Sequence, residues 1–338
     1  MIILPDQNPF LVQIQTLFAK AYELPVPQKC TKLTDGLINQ TFDLDNLWIL
    51  QHLNKIFKPE VNEDIAALTP VLQQHGVNVP LICRTKSGSA SVEGSDYGME
   101  PGCWRLMTKV KGCTIHKVQN IEQIRSLTSA ISAFHKALDG YNYHFKHTRS
   151  GVHDFQKHRL ALEQALHTHV NHPFYARIQS LFEKMVHLEP FIHTGNVLAC
   201  EDLRIIHGDP KVSNLLFEND SVVSIVDLDT MAKSRVAFDI GDAIRSWCNP
   251  CKEDQDPEFN REYAREALGL YLEISPFLSR AERDSLPHAA PLISLELAMR
   301  FARDALCEDY FAFDPQIGHD MHSYMRAKSM CALCEQML

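Results

Sequence analysis

The sequence predicts an α+β fold with two lobes, on the strength of three observations. Strand-period patterns are confined to the first third of the 338 residues, and helix-period patterns fill most of the rest. The change falls near residue 111, and one pair of strand-like runs interrupts the helical part at about 203–230. Because strands and helices do not alternate, a doubly wound parallel sheet is not favoured. We therefore expect a small β-rich lobe, residues 1–110, and a larger, mainly helical lobe, residues 111–338.

The first lobe begins with an amphipathic pattern, in which Phe10, Ile14, Leu17 and Phe18 recur at helical spacing. A strand, loop, strand, turn and strand follow, with Asp45-Asn46 as the hairpin turn. The predicted elements, in order, are a helix at 7–22, strands within 32–51, a helix at 59–76, a strand at 77–83, a surface hairpin at 87–98 and a strand at 104–110.

The second lobe shows apolar residues at helical spacing almost throughout. The exception is the run at 203–230, where a polar loop and a turn separate β-branched segments. The predicted helices are 121–139, 154–169, 172–198, 239–248, 257–273, 279–287, 290–306 and 319–337.

Composition limits the classes of function. Apolar residues make up 45% of the chain and charged residues 22%, which is ordinary for a globular protein. The net charge of −9 argues against a nucleic-acid polymer or an anionic membrane as the main partner. The N-terminal residues lack the pattern of a signal peptide, no apolar run reaches transmembrane length, and the ten cysteines are scattered. We therefore expect a cytoplasmic protein with reduced thiols.

The chemistry concentrates in the interrupting segment. Asp209 stands five residues before Asn214, and Asp227 ends the second of the following strands. Two carboxylates and a carboxamide that a hairpin brings together can orient a hydroxyl and hold a divalent metal on a phosphate chain. Lys211 lies in the same loop and can reach the transferring phosphate. The alternative is that Asp209 and Asn214 only cap turns.

The motif His207-Gly208-Asp209-x-Lys211-x-x-Asn214, followed by Asp227, resembles the aminoglycoside phosphotransferase/choline kinase branch of the protein-kinase-like fold. The resemblance implies ATP and Mg²⁺ as cofactors. It also implies site roles: a catalytic base at Asp209, magnesium ligands at Asn214 and Asp227, a loop-bracing residue at His207, and a buried carboxylate at Asp239 that holds the loop backbone. The alternative for Asp239 is a helix N-cap.

A closer resemblance, to bacterial N-acetylhexosamine 1-kinases, covers most of the chain. It is carried by residues 35–42, 49–54, 57–58, 104–105, 227–230, 241–245, 300–301 and 309–311. These kinases phosphorylate the anomeric hydroxyl of N-acetylglucosamine or N-acetylgalactosamine. The resemblance implies that the acceptor sugar contacts Thr230, Arg300 and Tyr310. It implies that the first lobe clamps the nucleotide, with the hinge from Met107 to Val110 beside adenine. The candidate nucleotide-binding side chains are Asn39, Thr41 and Gln51; the alternative for the loop at 35–41 is an ordinary hairpin turn.

The sequence departs from the kinase pattern in the first lobe. The loop at 35–41 has a single glycine, and Gln51 stands where protein kinases place a lysine. A glutamine cannot pair as a cation with phosphates or with a helix glutamate such as Glu63. We expect Lys211, rather than Lys55 or Lys58, to supply the missing charge. Leu37 stands where some of the sugar kinases carry a histidine that faces the sugar.

Other interpretations stay open at this point. The same chemistry can act on an aminoglycoside, choline, homoserine or another sugar, and a cationic acceptor would need clustered acidic groups. The acidic run at 253–258 is expected on a solvated loop. A non-catalytic nucleotide-binding pseudokinase is the alternative from a different class. The pairs Cys248/Cys251 and Cys331/Cys334 have zinc-like spacing, but we expect structural free thiols. The pattern does not predict an oligomeric state.

Overall fold

The computed structural model describes residues 9–33, 39–147, 151–192 and 194–338. These residues form two compact units. The first contains the described residues up to 111 together with 144–147, and the second contains 112–143, 151–192 and 194–338. Residues 144–147 fall within the second lobe expected from the sequence. The structure places them in the first unit.

The first unit is a five-stranded antiparallel sheet with two helices. The sheet order is β1-β2-β3-β5-β4. The elements are α1 Pro9–Ala21, β1 Cys30–Leu33, β2 Gln40–Leu44, β3 Trp48–His52, α2 Val61–Gln74, β4 Val92–Glu93 and β5 Cys103–Thr108.

Helix α1 covers one face of this sheet. Strand residues alternate between the two faces, so Phe42, Leu44 and Leu50 point to the same side. They pack in one buried cluster with Leu17 and Phe18 of α1. The opposite face carries the intervening residues of β2, β3 and β5, which are more polar.

Two first-unit predictions need correction, and one lies outside the described residues. Residues 77–83 do not form a strand: Pro80 has no N–H to donate, and only an isolated bridge joins Ile82 to Met107. The expected hairpin at 87–98 is instead the two-residue β4 followed by a 3₁₀ turn, Gly94–Tyr97. Residues 34–38, which include the loop glycine and Leu37, are not described.

The second unit is mainly helical, and the α+β prediction is confirmed. Its elements are α3 Ile121–Ala137, α4 Phe155–Thr168, α5 Tyr175–Leu188, α6 Thr194–Leu198, β6 Arg204–Ile206, β7 Leu215–Glu218, β8 Ser221–Ile225, β9 Ala232–Ser234, α7 Val236–Trp247, α8 Arg261–Ile274, α9 Arg280–Ser285, α10 Ala289–Cys307 and α11 His319–Met337. Helix α10 is buried along most of its length and packs against α4, α7 and α11. No helix of the described chain is long and apolar enough to cross a membrane.

Two features of the second unit differ from expectation. The single helix expected at 172–198 is broken, since α5 ends at Leu188 and Pro190 lies in a 3₁₀ turn before α6. The interrupting segment is not one hairpin: β7 pairs with β8, whereas β6 pairs with β9, a strand that the sequence analysis does not predict. These two small sheets position the loop between β6 and β7.

Candidate active site

The loop between β6 and β7 brings three predicted residues into direct contact. The Lys211 Nζ donates to the Asp209 Oδ2 at 2.5 Å and lies 4.0 Å from the Asp227 Oδ2. The Asn214 Nδ2 donates to the Asp209 backbone carbonyl at 2.8 Å and to its carboxylate at 3.3 Å. Because Asn214 is buried, these bonds fix the direction of the Asp209 side chain.

Asp239 holds the backbone at the start of the loop. Its Oδ2 accepts from the His207 N–H and its Oδ1 accepts from the Gly208 N–H, each at 2.7 Å. The His135 Nε2 donates to the same Oδ2 at 2.9 Å, and the Tyr271 hydroxyl lies 2.7 Å from the His135 Nδ1. Burial opposes ionisation of Asp239, but the hydrogen bond and charge of His135 hold its pKa below the ordinary value.

The His207 ring joins the loop to the end of β8. Its Nε2 donates to the Val226 carbonyl at 3.0 Å, and its Nδ1 accepts from the Asp209 N–H at 3.3 Å. Thr230, predicted as an acceptor contact, donates its hydroxyl to the His207 carbonyl at 2.9 Å. Thr230 is therefore part of the support of the loop in this structure.

Gly208 is a requirement of this loop that the sequence analysis did not discuss. Its φ is +85°, in the left-handed region that glycine adopts without strain. A Cβ at this position would lie 2.3 Å from the Thr230 carbonyl oxygen. In the sequence, this requirement was indicated only by the position of the glycine between His207 and Asp209.

The β7–β8 hairpin delivers Asp227 beside the loop. The Val226 N–H donates to the Asn214 carbonyl at 2.9 Å, which closes the hairpin at its base. Asp227 then adopts a left-handed conformation, with φ of +63°. A non-glycine residue there is disfavoured, so the surrounding contacts must hold it.

The charges around Asp227 oppose one another. Burial raises the pKa of the Asp227 carboxyl; the Lys211 ammonium acts against this, and the nearby Asp229 and Asp209 carboxylates raise it further. Burial alone would lower the pKa of Lys211, but Asp209 and Asp227 raise it above its ordinary value. Lys211 is therefore a charged partner of both carboxylates.

The donor set at Asn214 and Asp227 fits a hard divalent cation. The Asn214 Nδ2 faces Asp209, so its Oδ1 points away from that residue. The Asp227 carboxylate lies among other acidic groups that raise its pKa, a position where a cation relieves repulsion. Carboxylate and carboxamide oxygens are ligands that Mg²⁺ and Ca²⁺ prefer.

Helix α7 supports the loop through residues that sequence analysis missed. The Trp247 Nε1 donates to the Pro210 carbonyl at 2.9 Å, and the Ser246 Oγ accepts from the Val212 N–H at 3.0 Å. Both residues lie about two turns beyond Asp239 on the same helix. Their only sequence signal was the placement of polar groups on an otherwise apolar helix.

A chain of ion pairs begins at Asp242, also on α7. The Arg245 Nη2 lies 2.7 Å from the Asp242 Oδ1, and the Arg245 Nη1 lies 3.2 Å from the Glu253 Oε1. The Arg326 Nη2 lies 2.5 Å from the other oxygen of Glu253. Burial opposes ionisation of Glu253, but Arg326 and Arg245 lower its pKa to about 2. The acidic run at 253–258 lies on a loop, as expected, and within it Glu253 is half-buried between two arginines.

Arg300 and Tyr310, predicted at the acceptor site, lie together. The Arg300 Nη2 is 3.4 Å from the Tyr310 hydroxyl, and its guanidinium lies over the rings of Tyr310 and Phe311. The Arg326 guanidinium lies 5.2 Å from the centre of the Phe311 ring. Arg326 therefore contacts both Glu253, through an ion pair, and the aromatic ring of Phe311.

The residues predicted to hold the nucleotide lie in the first unit. Thr41, Gln51 and Met107 share the face of the sheet that α1 does not cover. The Asn39 Oδ1 accepts from the Asn54 N–H at 2.8 Å. Val110 is half-buried, two residues past the end of β5. Glu63 is paired with Arg84 at 3.1 Å.

The cysteine pairs do not form metal centres among the described residues. All ten cysteines have free thiols. Burial raises the pKa of Cys331 to about 11 and raises the pKa of Cys248 and Cys334 further. Within the described ranges, a group of three metal-binding side chains occurs only at His172, Glu308 and Asp320. The structural thiol remains our interpretation of both pairs.

Comparison with known proteins identifies the family. The model of the phosphotransferase enzyme family, APH, matches residues 29–277, which include the whole segment from β1 to α8. The chain belongs to this phosphotransferase family. The matched range contains the loop at Asp209, Asn214 and Asp227 together with the sheet that carries Gln51.

Several solved structures share the fold of this chain at low sequence identity. An amicoumacin kinase in complex with AMP-PNP, Ca²⁺ and Ami has a TM-score of 0.63 at 15% identity, covering 98% of this chain and 94% of that one. The GDP complex of a mutant aminoglycoside 2′-phosphotransferase-IIIa has a TM-score of 0.61 at 16% identity, covering 88% and 89%. Choline kinase from Cryptosporidium parvum Iowa II has 0.57 at 14% identity, covering 91% and 88%.

A curated relative matches part of the phosphotransferase chain. Homoserine kinase of Rhodospirillum rubrum is 32% identical over 97 residues. This match covers 29% of the present chain and 27% of that protein. The chain therefore matches only about a quarter of the length of this relative.

Proposed function

We propose that this chain transfers the γ-phosphoryl group of ATP to a hydroxyl of a small molecule. The observation that carries the proposal is the contact set at Asp209, in which Lys211 and Asn214 hold its carboxylate beside Asp227. A site that only caps turns does not require a cation between two carboxylates. Family membership supports the same reaction class.

In this proposal Asp209 orients the acceptor hydroxyl and accepts its proton. The hydrogen bonds from Asn214 hold the Asp209 carboxylate in one orientation, so the acceptor hydroxyl is positioned before the reaction. In the same proposal the Lys211 ammonium, which keeps its charge, offsets the negative charge that develops on the transferring group. An anomeric hydroxyl is more acidic than an ordinary alcohol and needs only modest base assistance.

Asn214 and Asp227 would hold the divalent cation, Mg²⁺ in our proposal. When bound, the cation neutralises the charge of the phosphate chain. Asp227 follows β8 in a left-handed backbone conformation, with the Lys211 Nζ 4.0 Å from its Oδ2. His207 and Asp239 keep the loop in register with that strand.

The pairing of Asp242, Glu253 and Asp256 with cations favours a neutral acceptor over a cationic one in our proposal. A polyamine or choline site needs acidic groups that are not already paired. Here Asp242 is paired with Arg245, and Glu253 lies between Arg245 and Arg326. Asp256 is 91% exposed and 3.4 Å from Lys328. These carboxylates already have cations of the chain as partners.

The finer proposal is an N-acetylhexosamine, phosphorylated on its anomeric C1 hydroxyl. Arg300 and Tyr310 supply a cationic donor and a hydroxyl in contact with each other, groups suited to a neutral polar acceptor. Thr230, proposed at the same site, reaches the loop through His207. Homoserine is the second acceptor to test, because the local match is to a homoserine kinase.

The test is ADP release by the purified chain with ATP, Mg²⁺ and one acceptor at a time. The panel contains N-acetylglucosamine, N-acetylgalactosamine, homoserine, choline and an aminoglycoside. We expect turnover with an N-acetylhexosamine and a ³¹P NMR signal coupled to the anomeric proton. Turnover with homoserine alone would reject the sugar, and phosphorylation at another carbon would reject the C1 assignment.

The variant Asp209→Asn keeps the side-chain volume and removes the base. We expect kcat to fall by about 10²- to 10⁴-fold with nucleotide affinity retained. Asp220→Asn, on the β7–β8 turn, is the matched control. Activity that survives in Asp209→Asn would show that Asp209 is not the base. Nucleotide binding without turnover on any acceptor would favour the pseudokinase.

A further inference from the structure

A row of polar side chains crosses three strands of the first unit. Thr41 of β2 pairs in register with Gln51 of β3, and Gln51 pairs with Arg105 of β5. The row lies on the face of the sheet that α1 leaves uncovered. Met107 shares that face, two residues along β5 from Arg105.

Arg105 determines which way the Gln51 amide points. The Arg105 Nε and Nη2 donate to the Gln51 Oε1 at 2.9 and 2.6 Å. An arginine side chain has only donors, so the oxygen of the amide must face it. The Gln51 Nε2 therefore faces the other way, where it donates to the Thr41 Oγ1 at 3.0 Å.

Arg105 is itself held in place. Its side chain is 2% exposed, and its Nη1 donates at 3.2 Å to the Oδ1 of Asn62, on the first turn of α2. The Asn62 Nδ2 donates to the Pro59 carbonyl at 2.9 Å, which fixes the orientation of this second amide as well. The guanidinium thus stands behind Gln51 and polarises its amide.

Lys211 pairs with carboxylates of its own unit. It is engaged with Asp209 at 2.5 Å and lies 4.0 Å from Asp227. Gln51 occupies the strand position of the protein-kinase lysine, and its Nε2 has a second N–H beyond the one given to Thr41. A donor aimed by a buried cation suits the oxygens of a phosphate chain.

We propose that the Gln51 amide N–H binds the phosphates of the nucleotide and that Arg105 is the positioning residue that aims and polarises it. Arg105 and Gln51 together replace the lysine that protein kinases carry on this strand. The inference rests on the proposed nucleotide-binding function of the chain. The positive charge that the first lobe lacks at position 51 is then supplied by Arg105 of β5 and not by Lys211.

The decisive variant is Gln51→Glu, because it separates folding from phosphate binding. A carboxylate at 51 forms an ion pair with Arg105, so the melting temperature should stay at or above that of the unsubstituted chain. It also turns an acceptor oxygen toward the phosphates. We expect the Kd for ATP, measured by calorimetry without acceptor, to rise by about 10- to 100-fold, with the Kd for adenosine unchanged.

Gln74→Glu is the matched control, since it adds the same charge at an exposed position of α2 in the same unit. It should bind ATP as the unsubstituted chain does. Equal ATP affinity in Gln51→Glu and Gln74→Glu would overturn the proposal, and so would an equal loss of ATP and adenosine affinity. An unsubstituted chain that binds no ATP would instead refute the proposed function.

A pair of variants tests the positioning role of Arg105. In Arg105→Gln the amide of Gln51 loses its fixed orientation, and ATP affinity should fall while adenosine affinity is kept. Adding Gln51→Lys to Arg105→Gln returns a cation to the strand position of protein kinases, and should restore most of the ATP affinity. If the double variant binds ATP no better than Arg105→Gln, Arg105 serves only the packing of the sheet.

Discussion

Replacing Asp239 with asparagine should uncouple the catalytic loop from helix α7. The carboxylate accepts three hydrogen bonds, from the His207 and Gly208 amides and from His135. An asparagine has one acceptor oxygen, and in its better orientation the NH₂ group faces the Gly208 N–H. The half-buried Gly208 amide then loses its partner, and the two remaining bonds lose a charged acceptor.

The cost follows from these bonds. A buried N–H without a partner costs about 1 to 3 kcal/mol, and a bond to a charged acceptor exceeds a neutral one by about 1 kcal/mol. We expect Asp239→Asn to lower the free energy of unfolding by about 2 to 5 kcal/mol. Because the folded-state pKa of Asp239 is depressed, the carboxylate stabilises above its unfolded pKa. The difference should therefore shrink as the pH falls through the folded value.

The assay is urea unfolding at pH 7 and at a series of pH values below 3.8, the unfolded pKa of the carboxyl, together with ADP release at pH 7. Asp154→Asn is the matched control, because Asp154 caps α4 and asparagine caps a helix equally well. We expect Asp239→Asn to lose activity beyond its loss of folded protein, since the loop carries Asp209. A destabilisation below about 1 kcal/mol, or no larger than that of Asp154→Asn, would refute the argument from hydrogen bonds.

Three further predictions concern the same unit. Gly208→Ala should lower the free energy of unfolding in urea by at least about 2 kcal/mol, because the alanine Cβ meets the Thr230 carbonyl. Gly98→Ala is the control, since Gly98 also has a positive φ but has open space around it, and its cost should be smaller. Equal costs would contradict the clash. Glu253→Gln should cost about 1 to 2 kcal/mol at pH 7, discounted from about 3 because the side chain is 37% exposed. The folded pKa is depressed to about 2, so this cost should vanish between about pH 4.5 and 2, and a pH-independent cost would exclude the ion pairs. Lys211→Ala should lower kcat in the ADP assay more than Lys55→Ala, and the reverse order would assign the charge that assists the transfer step to Lys55.

The contacts of the loop at 207–214 could be anticipated because its residues are close in sequence. Asp209, Lys211 and Asn214 are joined within five residues, so their spacing alone brings them together. The order of strands and helices followed from periodicity for the same reason. Such local signals do not depend on how distant segments pack.

The missed features depend on distant partners. The pairing of β6 with β9 joins three-residue strands separated by the whole β7–β8 hairpin, and such short strands have no measurable period. Gln51 and Arg105 are 54 residues apart, so their contact could not be predicted from the sequence. Without that contact, the glutamine at position 51 indicated only the loss of a positive charge. The ion pairs from Arg245 to Arg326 require α7 and α11 to be already packed. None of these is visible before the sheet and the helices are assembled.

The return of residues 144–147 to the first unit affects how the protein can be divided. Both oxygens of the buried Asp64 accept backbone N–H groups from this short segment, at Lys146 and His147. The polypeptide therefore passes between the units three times, and no single cut separates them. A fragment that ends at residue 111 would leave the Asp64 carboxylate without two of its donors, at a cost of several kcal/mol. Recombination between family members should then preserve folding only when residues 144–147 are exchanged together with α2.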